Sequence, residues 1–119
     1  MLEGVERLIM NYVIDIDGTI CDKPPYMHHD GDYEQSIPKL DRIDVVNKLY
    51  DDGNYIIYLT ARGMGRNKNS RILAHKDLYD LTFNQLKGWG CKFHELHMGK
   101  PAGDVYIDDK GINDKDFFN

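Results

Sequence analysis

Asn11-Tyr12-Val13-Ile14-Asp15-Ile16-Asp17-Gly18-Thr19 is the stretch on which the fold turns. Asn11 to Ile16 is apolar and β-branched, which suits extended backbone, and Asp17-Gly18 is a turn signal. The segment reads as a buried strand that ends by presenting two carboxylates, Asp15 and Asp17. Beyond it, Thr19 to Pro38 is polar and broken by prolines, and reads as a flap loop. Leu40, Ile43, Val46, Leu49 and Tyr50 recur at helical spacing until Asp51-Asp52-Gly53 stops them. Tyr55 to Leu59 is a second buried strand, ending at Thr60. Gly63 to Ser70 reads as a loop, and Ile72 to Trp89 as a helix terminated by Gly88 and Gly90. Phe93, Leu96 and Met98 mark a third strand and Lys100-Pro101-Ala102-Gly103 a turn. Val105 to Ile107 is a fourth strand, closed by Asp108-Asp109.

Strands alternating with helices predict parallel pairing and an α/β class. The apolar runs predict a sheet covered on both faces, hence a three-layer, Rossmann-like fold with a mostly parallel sheet of four to five strands. Residues 1–119 form one domain on this reading, with 19–38 as the flap and 1–10 as a candidate N-terminal extension before a start at Met10. Ligands of such sheets bind at the carboxyl ends of the strands. Asp15, Asp17, Thr60, Asp108 and Asp109 all fall there, and Lys100 lies in the turn before the last strand.

The composition narrows the function classes. Charged residues make up 29% and hydrophobic residues 41% of the 119, a globular rather than disordered balance. A net charge of -5 argues against nucleic acid or anionic lipid as a partner, because such binding depends on Lys and Arg. Cys21 and Cys91 form neither a disulfide framework nor a zinc pattern and read as free thiols of the cytoplasm. No apolar run is long enough for a bilayer, so no membrane partner is expected. Homo-oligomerisation stays open.

DIDGT (Asp15 to Thr19), Leu59-Thr60, Lys100 and Asp108-Asp109, in that order at strand ends, resemble the motifs of the haloacid dehalogenase (HAD) superfamily. The resemblance runs from Asn11 to Asp109. Gly99 to Phe118 (GKPAGDVYIDDKGINDKDFF) also resembles small phosphatases of capsule and surface-polysaccharide biosynthesis. Thr19 to Pro38 is too short for a folded cap and Thr60 to Lys100 is accounted for by one helix and one strand, so the resemblance implies a HAD-like domain with no cap. It implies Asp15 as nucleophile, Asp17 as general acid/base, and Mg2+ held by Asp15, the Asp17 carbonyl, Asp108 and Asp109.

The chemistry agrees with the residue types. A carboxylate attacking phosphorus splits a very slow hydrolysis into two steps. A hydroxyl at Thr60 and a fixed charge at Lys100 suit stabilisation of the transferring phosphoryl group. Turn amides from Ile16 to Gly18 add donors for an anion. Arg62 suits substrate anion binding because its fork matches a phosphate or carboxylate; a solvated loop arginine is the rival reading. Taken singly, each feature is ordinary: Asp-Gly is a common turn, and Thr after a strand is plain turn chemistry. Their joint order carries the argument. Tyr26, His28, His29, Asp30, Asp32 and Tyr33 are either substrate contacts or a solvated flap, and zinc lacks further spaced ligands. Asp114 reads as structural. The expected activity is hydrolysis of a small phosphorylated substrate, with a sugar phosphate favoured. A nucleotide or polynucleotide-end phosphatase and a non-catalytic phosphate-binding domain are the alternatives.

Overall fold

The computed structural model describes residues 9–24 and 32–119. Its elements are β1 (Asn11–Ile14), β2 (Cys21–Asp22), β3 (Ile37–Pro38), α1 (Leu40–Asp51), β4 (Tyr55–Thr60), α2 (Arg71–Gly88), β5 (Glu95–Met98) and α3 (Asp114–Phe118), with one 3-10 turn at Tyr33–Gln35. The protein is α/β, with a parallel sheet in the order β1-β4-β5. Ile14 lies opposite Tyr58, and Thr60 opposite Met98. That register sets the ends of β1, β4 and β5 side by side, so their following residues share one rim.

Alternation along β4 explains the core. Ile56, Tyr58 and Thr60 are buried, while Tyr55, Ile57 and Leu59 are partly covered. Ile56 and Tyr58 pack with Ile14, Ile16, Ile43, Val46 and Leu86. α1 contributes Ile43 and Val46 at helical spacing. α2 starts at Ser70, whose side chain accepts from the Leu73 amide, and buries Ala74, Leu78, Thr82 and Leu86. None of the described helices is long and apolar enough to cross a membrane.

Three expectations change. First, the sheet of the described residues has three strands, not four to five, because Val105–Ile107 is not a strand. Val105 is 73% and Ile107 92% exposed. The Tyr106 hydroxyl donates to the Pro101 carbonyl and accepts from the Gly103 amide, folding the segment back on its own turn. Second, β1 is therefore an edge strand, with Val13 60% exposed, rather than one covered on both faces. Third, the flap is rooted in a short antiparallel hairpin, with Cys21 opposite Pro38. Two-residue strands leave no periodicity in the sequence. Of the candidate extension, only Ile9 and Met10 are among the described residues, and both are exposed. Tyr26, His28, His29 and Asp30 also lie outside them.

α3 closes the structure. Its cap is Asn113, which accepts from the Lys115 amide. Asp114 is structural: its carboxylate takes a hydrogen bond from Arg42 at 2.7 Å. Arg42 also donates to the Thr19 carbonyl at 2.9 Å and lies over the Phe118 ring. The guanidinium thus joins α1, the turn after β1 and α3. It holds the Asp114 carboxyl below the ordinary carboxylate range. A depressed value means stability that is present at neutral pH and lost as pH falls through that value. Asp114→Asn is expected to lower unfolding stability by about 1 kcal/mol at pH 7. In denaturant titrations that gap should close as the pH drops below the usual Asp value of about 3.9.

Candidate active site

Asp15 and Asp17 follow β1 on the face opposite to the buried Ile14 and Ile16, as alternation requires. The chain then turns sharply. Thr19 and Ile20 amides both donate to the Ile16 carbonyl, at 3.0 and 2.9 Å. Gly18 makes the turn with φ +83°, a conformation costly for any residue with a Cβ. Its amide donates to the Cys21 carbonyl at 2.8 Å, and the Ile16 amide serves the Asp15 carboxylate. The Gly18 amide is therefore spent inside the turn. Gly18 contributes shape rather than the anion donor expected of it.

β4 delivers Thr60, which is 1% exposed. Its carbonyl accepts from the amides of Gly99 and Lys100, both at 3.1 Å, and its hydroxyl oxygen accepts from the Arg62 amide. Gly99, at φ +114°, sits so close to the Arg71 side chain that a Cβ would meet it at 2.8 Å. This crowding fixes where Lys100 leaves β5. Lys100 Nζ lies 3.6 Å from Asp15 Oδ1 and over the Tyr106 ring. Thr19 Oγ1 donates to Asp15 Oδ2 at 3.4 Å. Asp15 is thus flanked on one oxygen by a cation and on the other by a hydroxyl.

These side chains line an open cleft of about 500 Å³, with Lys23 and Arg66 also on its wall. Such a volume suits a small organic ligand. Asp15, Asp17, Thr60 and Lys100 all line it. Asp108 and Asp109 do not. Asp108 Oδ1 instead accepts from the Lys110 and Gly111 amides, both at 2.6 Å, and these bonds lower its pKa. For a hard cation the cleft offers the Asp15 carboxylate and the backbone oxygen of Asp17. Among the described residues no group of three or more His, Cys, Asp or Glu could hold a metal ion. The fit to magnesium is therefore partial: it suits an ion that keeps substrate oxygens and water, but not the four-residue set expected from the resemblance.

Arg62 departs most from expectation. Its side chain is 0% exposed. Nε and one terminal nitrogen donate to the two Asp17 oxygens, each at 2.9 Å. The other terminal nitrogen donates to Thr82 Oγ1 at 3.2 Å and Gln85 Oε1 at 2.8 Å. Arg62 is among the residues lining the cleft, and its guanidinium is engaged there by Asp17 and α2. Sequence reasoning missed Thr82, Gln85 and Tyr106. One signal was present: Leu78, Thr82 and Leu86 share a helix stripe, and a hydroxyl between two leucines on a buried stripe needs a partner.

Burial raises the Asp15 pKa, against the opposing pull of Lys100 and the Ile16 amide, while Asp17 adds to the rise. A raised carboxyl makes the folded state prefer the proton, so ionising Asp15 costs stability as pH rises through that value. In metal-free buffer Asp15→Asn should raise the thermal midpoint at pH 7, and the advantage should fade in acid. A lower midpoint at pH 7 would count against this account.

No protein-family model matches the chain, and no curated protein matches it. Among solved structures, it is similar to the crystal structure of a structural-genomics target from Vibrio cholerae. The TM-score is 0.80 at 23% identity, over 92% of this chain and 88% of that one. At that identity the likeness is one of fold alone.

Proposed function

We propose that the protein is a magnesium-dependent phosphomonoesterase of the HAD type, without a cap domain, that acts in the cytoplasm on a small phosphorylated substrate. A sugar phosphate of polysaccharide biosynthesis is the favoured class, on the strength of the Gly99 to Phe118 resemblance. The observation that carries the reading is the meeting of Asp15, Asp17, Thr60 and Lys100 in one cleft at the carboxyl ends of parallel strands. These residues come from three separate parts of the chain. A structural role for each alone does not account for their convergence.

In the reaction proposed, an Asp15 oxygen attacks phosphorus and the bond from phosphorus to the ester oxygen breaks. Asp17 gives its proton to that leaving oxygen, a contribution worth roughly 10²–10⁴ in rate. Water then attacks the phosphoryl group on Asp15 while Asp17 takes a proton from it. The bond from phosphorus to Asp15 breaks, inorganic phosphate leaves and both carboxyl groups return to their starting states. Lys100 supplies positive charge beside Asp15, and Thr60 a hydroxyl, where negative charge builds on the phosphoryl oxygens. Magnesium, when bound by Asp15 and the Asp17 carbonyl, would offset repulsion between the nucleophile and a phosphate dianion.

Phosphate release should be measured over a panel of sugar phosphates, nucleotides and phosphorylated oligonucleotides with magnesium. Turnover of sugar phosphates, lost by more than about 10³-fold in Asp15→Asn, is the expected result. Preference for nucleotides or oligonucleotide ends would reassign the substrate. No Asp15-dependent release from any ester would end the enzymatic reading.

A further inference from the structure

Among the described residues, Arg62 is the only charged side chain in the buried set. Burying a guanidinium is costly unless it is paired and its donors are satisfied. Here both conditions are met by residues from three parts of the chain. Asp17 takes the fork, α2 supplies Thr82 and Gln85, and the Tyr33 ring lies 4.7 Å from the guanidinium carbon. Gln85 is itself held, since its Nε2 donates to the Tyr33 carbonyl at 2.8 Å. The plane of the guanidinium is therefore fixed on several sides, and a two-point fork passes that fixed plane to the carboxylate it grips. Cys21, a buried thiol, adds a weak contact from Sγ to Asp17 Oδ1 at 3.5 Å. Asp17 remains 28% exposed, open to the cleft on its free side.

We infer that Arg62 is a positioning residue: held by Thr82, Gln85 and Tyr33, it sets the aim of Asp17 toward the leaving-group oxygen. The inference rests on the phosphatase reading and extends it to a residue that does not touch substrate. The rival is a purely structural Arg62, whose loss would loosen the whole cleft and slow every substrate alike. The two differ in how they treat the leaving group. An alkyl phosphate needs a proton on its departing oxygen, whereas p-nitrophenol leaves well without one. Misaiming Asp17 therefore harms the first far more than the second.

The test compares kcat/KM, which reports the step that expels the leaving group, for an alkyl phosphate and for p-nitrophenyl phosphate. Arg62→Lys keeps a positive charge but cannot make the fork. It should lose about 10²-fold or more on the alkyl ester and less than about 10-fold on the aryl ester. Asp17→Asn should show the same selectivity. Adding Arg62→Lys to Asp17→Asn should cost the alkyl ester little more, since the two residues act as one unit. Gln85→Met, which removes one support and leaves the fork, should shift the ratio in the same direction by a smaller factor. It also keeps the test alive if Arg62→Lys fails to fold. Equal losses on both esters in folded variants, or additive losses in the double variant, would overturn the inference and leave the phosphatase reading standing. Absence of any Asp15-dependent hydrolysis in the unmodified protein would overturn both.

Discussion

A guanidinium without solvent has to be neutralised where it stands, and in this protein that requirement organises the cleft. Arg62 lies two residues past the end of β4, and Asp17 three residues past the end of β1. They meet because the two strands pair in parallel and in a register that aligns their ends. α2 then supplies neutral acceptors for the donors the carboxylate leaves over. Removing the carboxylate would strand the guanidinium in the interior at a cost of roughly 3–5 kcal/mol. The groups proposed for catalysis and those that hold the sheet ends together are thus partly the same atoms. That overlap limits how far stability and chemistry can vary independently.

Much of this was legible in the sequence, and the division follows physical range. β4, β5, α1 and α2 are set by local periodicity and by capping or stop residues such as Ser70 and Gly53, so they read out to within a residue or two. Val105 to Ile107 has the composition of a strand but does not pair with the sheet, although the edge of β1 is open. The Tyr106 hydroxyl takes its partners from Pro101 and Gly103 instead. No composition signal reports that competition. The β2–β3 hairpin was invisible for a simpler reason: two residues per strand carry no period.

The site divides in the same way. Asp15, Asp17, Thr60 and Lys100 were found because order and strand-end position are sequence properties, and the fold brings them together. Asp108 and Asp109 have the same signature, yet their position depends on the segment before them, which stays outside the sheet. Arg62 was noticed for its charge, but its employment depends on Thr82 and Gln85, twenty residues and more along the chain. A long side chain after a strand can point outward or inward. Only the acceptors waiting on α2 decide between them.

Thr60 has a further consequence. One residue accepts the amides of Gly99 and Lys100 through its carbonyl and that of Arg62 through its hydroxyl. The spacing from Met98 to Lys100 is consequently rigid: one inserted residue there would carry the lysine off Asp15. The flap, by contrast, is pinched at its root by β2 and β3, with the Lys39 amide on the Ile20 carbonyl. Beyond that pinch, sequence can drift without disturbing Asp17 only where Tyr33 keeps its place against Arg62 and Gln85. Evolutionary variation in what the cleft recognises has room at the flap, while the β5 exit admits almost no change in chain length.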